Sequence, residues 1–242
     1  LIYSGREHMN QIEQIEQRFG VKYPELYKRL YDDGMLDWGE YGPNWHATYW
    51  EKFKSNPPLL LFGDDIELLE LNQIVEKIEE LKDPEDYRAT KPEFQFVPFA
   101  MTGGGDLYVF QFDQQCGENV PVTLVPHDSE SASILAKNLQ DFIFRKLLEC
   151  VAEIDEYSSA AEGGDLKTNL FNMLRTHKPY LSQRQVAKIE EIYNRDLFDY
   201  KYNIPNGNEL SLSGLISLDE LEEVLHQEIG FENLDKEFVY MG

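Results

Sequence analysis

Residues 94–113 read FQFVPFAMTGGGDLYVFQFD. Phe94, Phe96, Val97 and Phe99 precede the turn Gly103-Gly104-Gly105-Asp106, and Leu107 to Phe112 follow it. Aromatic and β-branched residues on both sides of a glycine-rich turn mark an antiparallel pair, since such side chains pack well on a pleated surface. Glycine supplies the turn with backbone angles that a Cβ disfavours. With a side-chain period of two, Tyr108, Phe110 and Phe112 share one face, and Leu107, Val109 and Gln111 share the other. Both faces are largely apolar, which predicts an inner strand whose sheet is covered on one side by helices. The stretch points to a fold before it points to any reaction.

Working outward toward the N-terminus, Ile12, Ile15 and Phe19 recur at helical spacing with Gly20 as a stop. Pro24 opens a second short helix carrying Leu26, Tyr27, Leu30 and Tyr31, which Asp32-Asp33-Gly34 ends. Residues 35–62 read as an irregular aromatic stretch rich in glycine and proline, either a packed surface loop or a binding loop. Residues 66–69 predict a short strand, and Leu71, Ile74, Val75, Ile78 and Leu81 an amphipathic helix stopped before Pro84. On the C-terminal side, residues 120–125 predict a strand and residues 127–133 a polar loop. Leu135 through about Glu153 reads as one long helix. The order is that of an α+β fold with a mixed, largely antiparallel sheet, not a doubly wound one.

YSSAAEGGD at residues 157–165 is small and polar and predicts a linker. The expected organisation is a domain over residues 1–156 and a mainly helical C-terminal extension over 166–242. Within the extension, residues 166–175, 182–194 and 218–229 read as helical, with a hairpin around Pro205-Asn206-Gly207.

Forty-five acids against 22 bases give a net charge of −23. The excess is spread along the chain, at −13 for residues 1–150 (27 acids, 14 bases) and −10 for residues 151–242 (18 acids, 8 bases). Such a field repels nucleic acid and anionic membrane and speeds encounter with a basic partner; it also serves solubility alone. Cys116 and Cys150 make no disulfide framework, which points to a reducing, cytoplasmic setting. No run is long and apolar enough to span a bilayer. The opening LIYSGREHMN has no basic-then-apolar signal pattern, and its lack of an initial Met leaves a preceding export signal open.

Three motifs together carry a family resemblance: FGVKYPELYKRLYDDG at 19–34, FVPFAMTGGGDLYVFQFD at 96–113, and SILAKNLQDFIFRKLLECV at 133–151. In this order and spacing they resemble the proline-started helix, the glycine turn with its aromatic strand, and the closing helix of the SMI1/KNR4 family, or SUKH superfamily. Met35 stands where many members carry a second glycine, and residues 35–62 form a longer connection than usual. The resemblance implies a mixed sheet with helices packed to one side. It also implies one of two roles. Bacterial members are immunity proteins that silence a delivered toxin, often a nuclease; fungal members are regulators of cell-wall synthesis and signalling. It implies no catalytic residue and no cofactor.

Each candidate site in the sequence has a plainer reading beside it. The Gly103–Gly105 turn lacks the Lys-Ser/Thr of a phosphate-binding loop and leads into a strand, so a plain turn is expected, tethered by Asp106 through local backbone bonds. ELSLSGLISLDE at 209–220 imitates a calcium loop at Gly214, Ile216 and Glu220. Glu209, Ser211 and Ser213 replace its aspartates, however, and a strand followed by a capped helix is expected. His46, His127, His177 and His226 have no ligand spacing, and no metal is expected. Cys116 with His127 would make a nucleophile and base only if the fold joined them. The acid pairs Asp32-Asp33 and Asp64-Asp65 suit capping or solvation better than acid–base work.

Asp37, Trp38, Glu40, Tyr41, Trp45, His46, Tyr49 and Trp50 combine large rigid rings with negative charge. Tryptophan and tyrosine dominate interface hot spots, and carboxylates orient a basic partner; the same rings suit a small core under a long loop. With Asp64, Asp65 and Asp106 they form the expected partner surface. The expected partner is a cognate toxin domain of basic character, with nucleic acid and membrane excluded and the oligomeric state left open.

Overall fold

Thr102 and Asp106 close the central turn. Thr102 N donates to Asp106 O at 2.8 Å and Gly105 N to Thr102 O at 3.0 Å. Gly105 holds φ at +97°, a conformation that strains any residue with a Cβ. The computed structural model describes residues 5–40, 42–162, 165–204 and 207–242, with side chains of the first helix from residue 11 onward.

In chain order the elements are α1 (Gly5–Phe19), α2 (Glu25–Asp32), α3 (Glu51–Ser55), β1 (Glu67–Leu68), α4 (Leu71–Lys82), β2 (Phe96–Met101) and β3 (Leu107–Gln111). Then come β4 (Val122–Val125), β5 (Ser131–Ala136), α5 (Leu139–Glu149), α6 (Leu166–His177), α7 (Gln183–Tyr193), β6 (Phe198–Asn203), β7 (Glu209–Gly214), α8 (Leu218–Ile229) and β8 (Glu237–Val239). This is the expected α+β class. A six-stranded sheet runs β1-β2-β3-β4-β5-β8, antiparallel throughout, and β6 and β7 form a separate two-stranded sheet. Among the described residues no helix is long and apolar enough to cross a membrane.

The chain divides into two compact units. The first is Leu1–Gly34, Asp65–Leu139 and Glu232–Gly242; the second is Met35–Asp64 and Gln140–Phe231. Residues 157–165, read as a linker, fall within the second unit, where Ser159–Ala161 make a short 3-10 turn. Gly163 and Gly164 lie outside the described residues.

In the first unit β3 is buried along its whole length between β2 and β4. On one face Phe110 stacks on Phe99 at 4.5 Å and meets the edges of Tyr23 and Tyr27 at 6.0 and 5.4 Å. Tyr27 is the buried ring of α2, whose N-cap is Pro24, so the proline-started helix of the sequence covers this face. On the other face Leu107, Val109 and Val125 pack with Leu81 of α4, Phe96 and Tyr240. The buried polar pair on that face is mutually satisfied, Thr123 Oγ1 donating to Gln111 Oε1 at 2.8 Å.

One expectation is corrected here. Residues 131–136 form a strand, not the end of a polar loop and the start of a helix, and α5 begins only at Leu139. Ser131 and Ser133 are half-buried while Ala132 and Ile134 are buried. The period of two is present but is carried by serine and alanine, weak strand formers. The sixth strand comes from the chain's end, where β8 pairs with β5 from Ser131↔Val239 to Ser133↔Glu237.

In the second unit α6 and α7 are joined by a 3-10 turn at Lys178–Tyr180, and α7 opens with a capping box between Ser182 and Gln185. Tyr193, fully buried, donates its hydroxyl to Leu147 O at 2.7 Å. The imitation calcium loop resolves as expected into β7 and α8, with Ser217 Oγ capping Glu220 N at 3.2 Å. Its outer carboxylates are engaged elsewhere, Glu209 with Lys201 at 2.7 Å and Glu220 with Arg195 at 2.8 Å. The expected hairpin is β6–β7; Pro205 and Asn206 of its turn lie outside the described residues. At its base Gly214 passes so close to the Ala152 carbonyl that a Cβ would collide with it. Gly214→Ala should therefore destabilise the protein by about 1–3 kcal/mol, the range for overpacking, read as a lower urea midpoint.

His177 is fully buried, and its Nε2 accepts the backbone N–H of Leu60 at 2.9 Å while Nδ1 faces Met173 O at 2.7 Å. Leu60 is held at φ +54°, rare for a residue with a side chain, so this bond fixes a strained turn. Burial pushes the imidazole down to about 4, and protonation would remove the acceptor that Leu60 needs. Below about pH 6.5 the unfolded ring takes a proton that the folded ring refuses. Stability is thus expected to be whole above that pH and to fall through the window down to about 4, at up to about 1.4 kcal/mol per pH unit. Urea titrations across this window should show the slope in the wild type and a flatter profile in His177→Asn.

Candidate partner-binding site

The segment 35–62 is not the irregular loop its glycines and prolines predict. His46–Trp50 form a π-helical turn that runs into α3. Its ends meet where Leu59 N donates to Met35 O at 2.8 Å. Two indoles brace the interior: Trp38 Nε1 donates to Leu59 O at 3.0 Å and Trp45 Nε1 to Trp38 O at 2.6 Å. A buried indole N–H needs such a partner, and here each bond also fixes the segment's path. Gly39 lies under the ring of Tyr49, where a Cβ would sit 2.7 Å from the ring carbons.

The rings form one connected cluster. Tyr49 stacks on Phe53 at 5.6 Å, and Trp45 lies 6.3–6.4 Å from Tyr49, Trp50 and Phe53. Trp50 is buried and meets Phe62 edge-on at 5.7 Å. His46 stacks on Trp50 at 5.3 Å, and its Nε2 reaches Glu162 Oε1 at 2.6 Å. The side chains divide between a small core and the surface. Trp50 and Phe53 are the small core, while Trp38, Trp45 and Tyr49 are half-buried and His46, Asp37 and Glu40 are exposed. Asp37 Oδ1 also accepts Gly39 N at 2.8 Å, which shapes the rim. Tyr41 lies outside the described residues.

The remaining acids divide between the units. Asp64 is exposed in the second, while Asp65 and Asp106 belong to the first and flank the glycine turn. Asp106 tethers the turn through its backbone as expected, its N–H donating to Thr102 Oγ1 at 3.0 Å, and Asp65 adds a side-chain tether, its Oδ1 accepting Gly103 N at 2.8 Å. The Asp106 carboxylate reaches beyond the turn, its Oδ1 accepting His127 N at 2.9 Å and meeting His127 Nδ1 at 2.6 Å. The physical reason is register. Leu107 pairs with Val125, so Asp106, one residue before Leu107, and His127, two residues after Val125, are carried to the same end of the sheet. His127 is thus engaged by a carboxylate, whereas Cys116 is an exposed thiol in a turn with Asn119. Asp106, His127 and Asp128 offer one ligand atom each within 4.8 Å of one another; Asp106 is half-buried and the other two are exposed, and the Asp106–His127 contact brings the first two together. Asp33 ends α2 beside Arg29 at 3.6 Å, a helix-end role.

The model of the SMI1 / KNR4 family (SUKH-1) matches residues 9–145, more than half of the chain. The chain belongs to the SMI1/KNR4 family. Among curated proteins and among solved structures no match was found. The SMI1/KNR4 match spans α1 to β5 and the first half of α5, and so includes the braced aromatic segment. In this SMI1/KNR4 protein the third motif is a strand followed by a helix, not a helix throughout.

The hydrogen bond from His127 to Asp106, aided by the charges of Asp128 and Asp106, holds the His127 imidazole above its ordinary value. The pairing therefore favours the folded state below the unfolded pKa and is lost as pH rises through the folded one. An NMR titration should place His127 above about 6.5 and show Asp106→Asn moving it down; an unchanged midpoint would dismiss the pair.

Proposed function

We propose that this chain is an immunity protein that binds a cognate toxin domain of basic character, a nuclease, in the cytoplasm and occludes its active site. Inhibition is stoichiometric and involves no turnover. Family membership supports the class of function. The single observation that carries the mechanism is the segment 35–64, where half-buried Trp38 and Trp45 are fixed by their own hydrogen bonds and Asp37 and Glu40, next to Trp38 in sequence, are exposed. Rings held before binding lose little freedom on contact, which is the main saving available to an interface. Carboxylates on such a floor resemble the phosphates that a nuclease groove expects, and the net charge of −23 steers a cationic groove toward them.

An interface of about 1,600 Å² in total suffices for this role. Co-expression with the toxin encoded beside this gene should yield a one-to-one complex without nuclease activity. Glu40→Lys leaves the Asp37–Gly39 bond and the ring cluster in place and should slow association, with the loss largest at low ionic strength. Trp45→Ala should raise the dissociation constant by about tenfold or more, equivalent to about 1.4 kcal/mol. A toxin that keeps full activity beside excess protein ends the proposal.

A further inference from the structure

The β6–β7 hairpin is built with two unlike faces. Register places Phe198, Tyr200, Tyr202, Leu210 and Leu212 on one face and Asp199, Lys201, Asn203, Glu209, Ser211 and Ser213 on the other. The polar face is internally paired, by Lys201 with Glu209 at 2.7 Å and Ser213 with Asp199 at 2.5 Å. The apolar face is only partly covered. Tyr200 is anchored through its hydroxyl to Ala152 O at 2.7 Å, but Phe198 and Leu210 remain 39% and 43% exposed, and neighbouring Leu197 51%.

The two edges also differ. On β7 the outer edge is taken at its base, where Ser213 O accepts Ile154 N at 2.7 Å. On β6 the bond from Ile204 N to Asn208 O, 3.0 Å, sets the alternation of the ladder. The backbone groups of Asp199, Lys201 and Asn203 therefore point outward, and among the described residues they have no backbone partner. A lysine in the middle of an edge strand usually guards it, but the charge of Lys201 is neutralised by Glu209. Acids predominate in and after the hairpin. Residues 196–223 hold seven acids and one lysine, Glu220 among them being paired with Arg195, and Glu153 and Asp219 lie near enough to Tyr200 to act on its hydroxyl.

We infer that the outer edge of β6 accepts an extended segment of a basic partner protein as a third strand. Main-chain bonds to Asp199, Lys201 and Asn203 would set the register, and apolar side chains of the segment would extend the face of Phe198, Tyr200 and Tyr202. Arginine or lysine at the alternate positions would meet the surrounding carboxylates. This surface is separate from residues 35–64 and does not rest on the function proposed above.

The test uses the full chain and a labelled peptide of alternating arginine and valine, about eight residues long to match a strand. Fluorescence anisotropy should show binding by the wild type and none of a glutamate–valine peptide. Lys201→Pro removes an outward N–H from β6 and, with the side chain, the Lys201–Glu209 pair, while leaving the β6–β7 ladder bonds in place. The freed Glu209 would favour a cationic peptide, so the expected weakening by about tenfold or more reports the lost main-chain bond. Leu210→Ser should weaken it through the face instead. In the wild type, hydrogen exchange at Asp199, Lys201 and Asn203 should slow when peptide is added, a readout independent of any variant's folding. Equal binding by wild type and Lys201→Pro, or unchanged exchange at these three amides, would reduce the contact to unspecific charge attraction and overturn the inference. Dimerisation of the wild type abolished by Lys201→Pro would assign the edge to a second copy and overturn it equally.

Discussion

β3 must be covered on both faces, and the first unit is arranged around that demand. Its residues alternate between two apolar sets, and every one of them is buried. Tyr23 and Tyr27 close the Phe110 face through ring contacts, each worth about 0.5–1.5 kcal/mol beyond the area it removes from water. Leu81, Phe96 and Tyr240 close the Val109 face. This explains why the C-terminal residues return to the sheet. Phe238 packs against the same cluster while the backbone of β8 satisfies the edge of β5, so one short segment serves burial and hydrogen bonding together. Tyr240 adds a further tie through its hydroxyl, which donates to Pro126 O at 2.6 Å.

The second unit makes a comparable demand of the segment 35–64. A stretch with this many glycines and prolines has a large entropy to lose, and its order rests on a few specific contacts. Two indole N–H groups hold two carbonyls, His177 holds Leu60 in a left-handed turn, and stacked rings fill the space between. The half-buried rings Trp38, Trp45 and Tyr49 are tied by those indole bonds or by stacking on Phe53. The proposed recognition of a cationic surface relies on these fixed aromatics beside solvated carboxylates.

Much of the fold was legible because its determinants are local. The glycine turn and its flanking aromatics gave the central hairpin. Apolar spacing gave α1, α2, α4, α6, α7 and α8, and a chain turn gave β6–β7. β5 was missed because its alternation is written in serine and alanine, and β8 because three residues carry no period. In the site, the composition of residues 37–50 identified the rings but not their division between core and surface. That division is set by packing: Trp50 is buried against Phe62, while Trp38 and Trp45 stay half-buried.

By itself the sequence determined the strand and helix pattern, the acidic field and the family motifs, since these depend on residue type and on spacings of a few positions. Only the tertiary structure decided which distant groups meet. Asp106 and His127 are 21 positions apart and come together through the β3–β4 register; Leu60 and His177 are 117 apart and meet in a buried core. Such contacts are chosen by packing and by the need to satisfy every buried donor and acceptor, and no local preference along the chain encodes them.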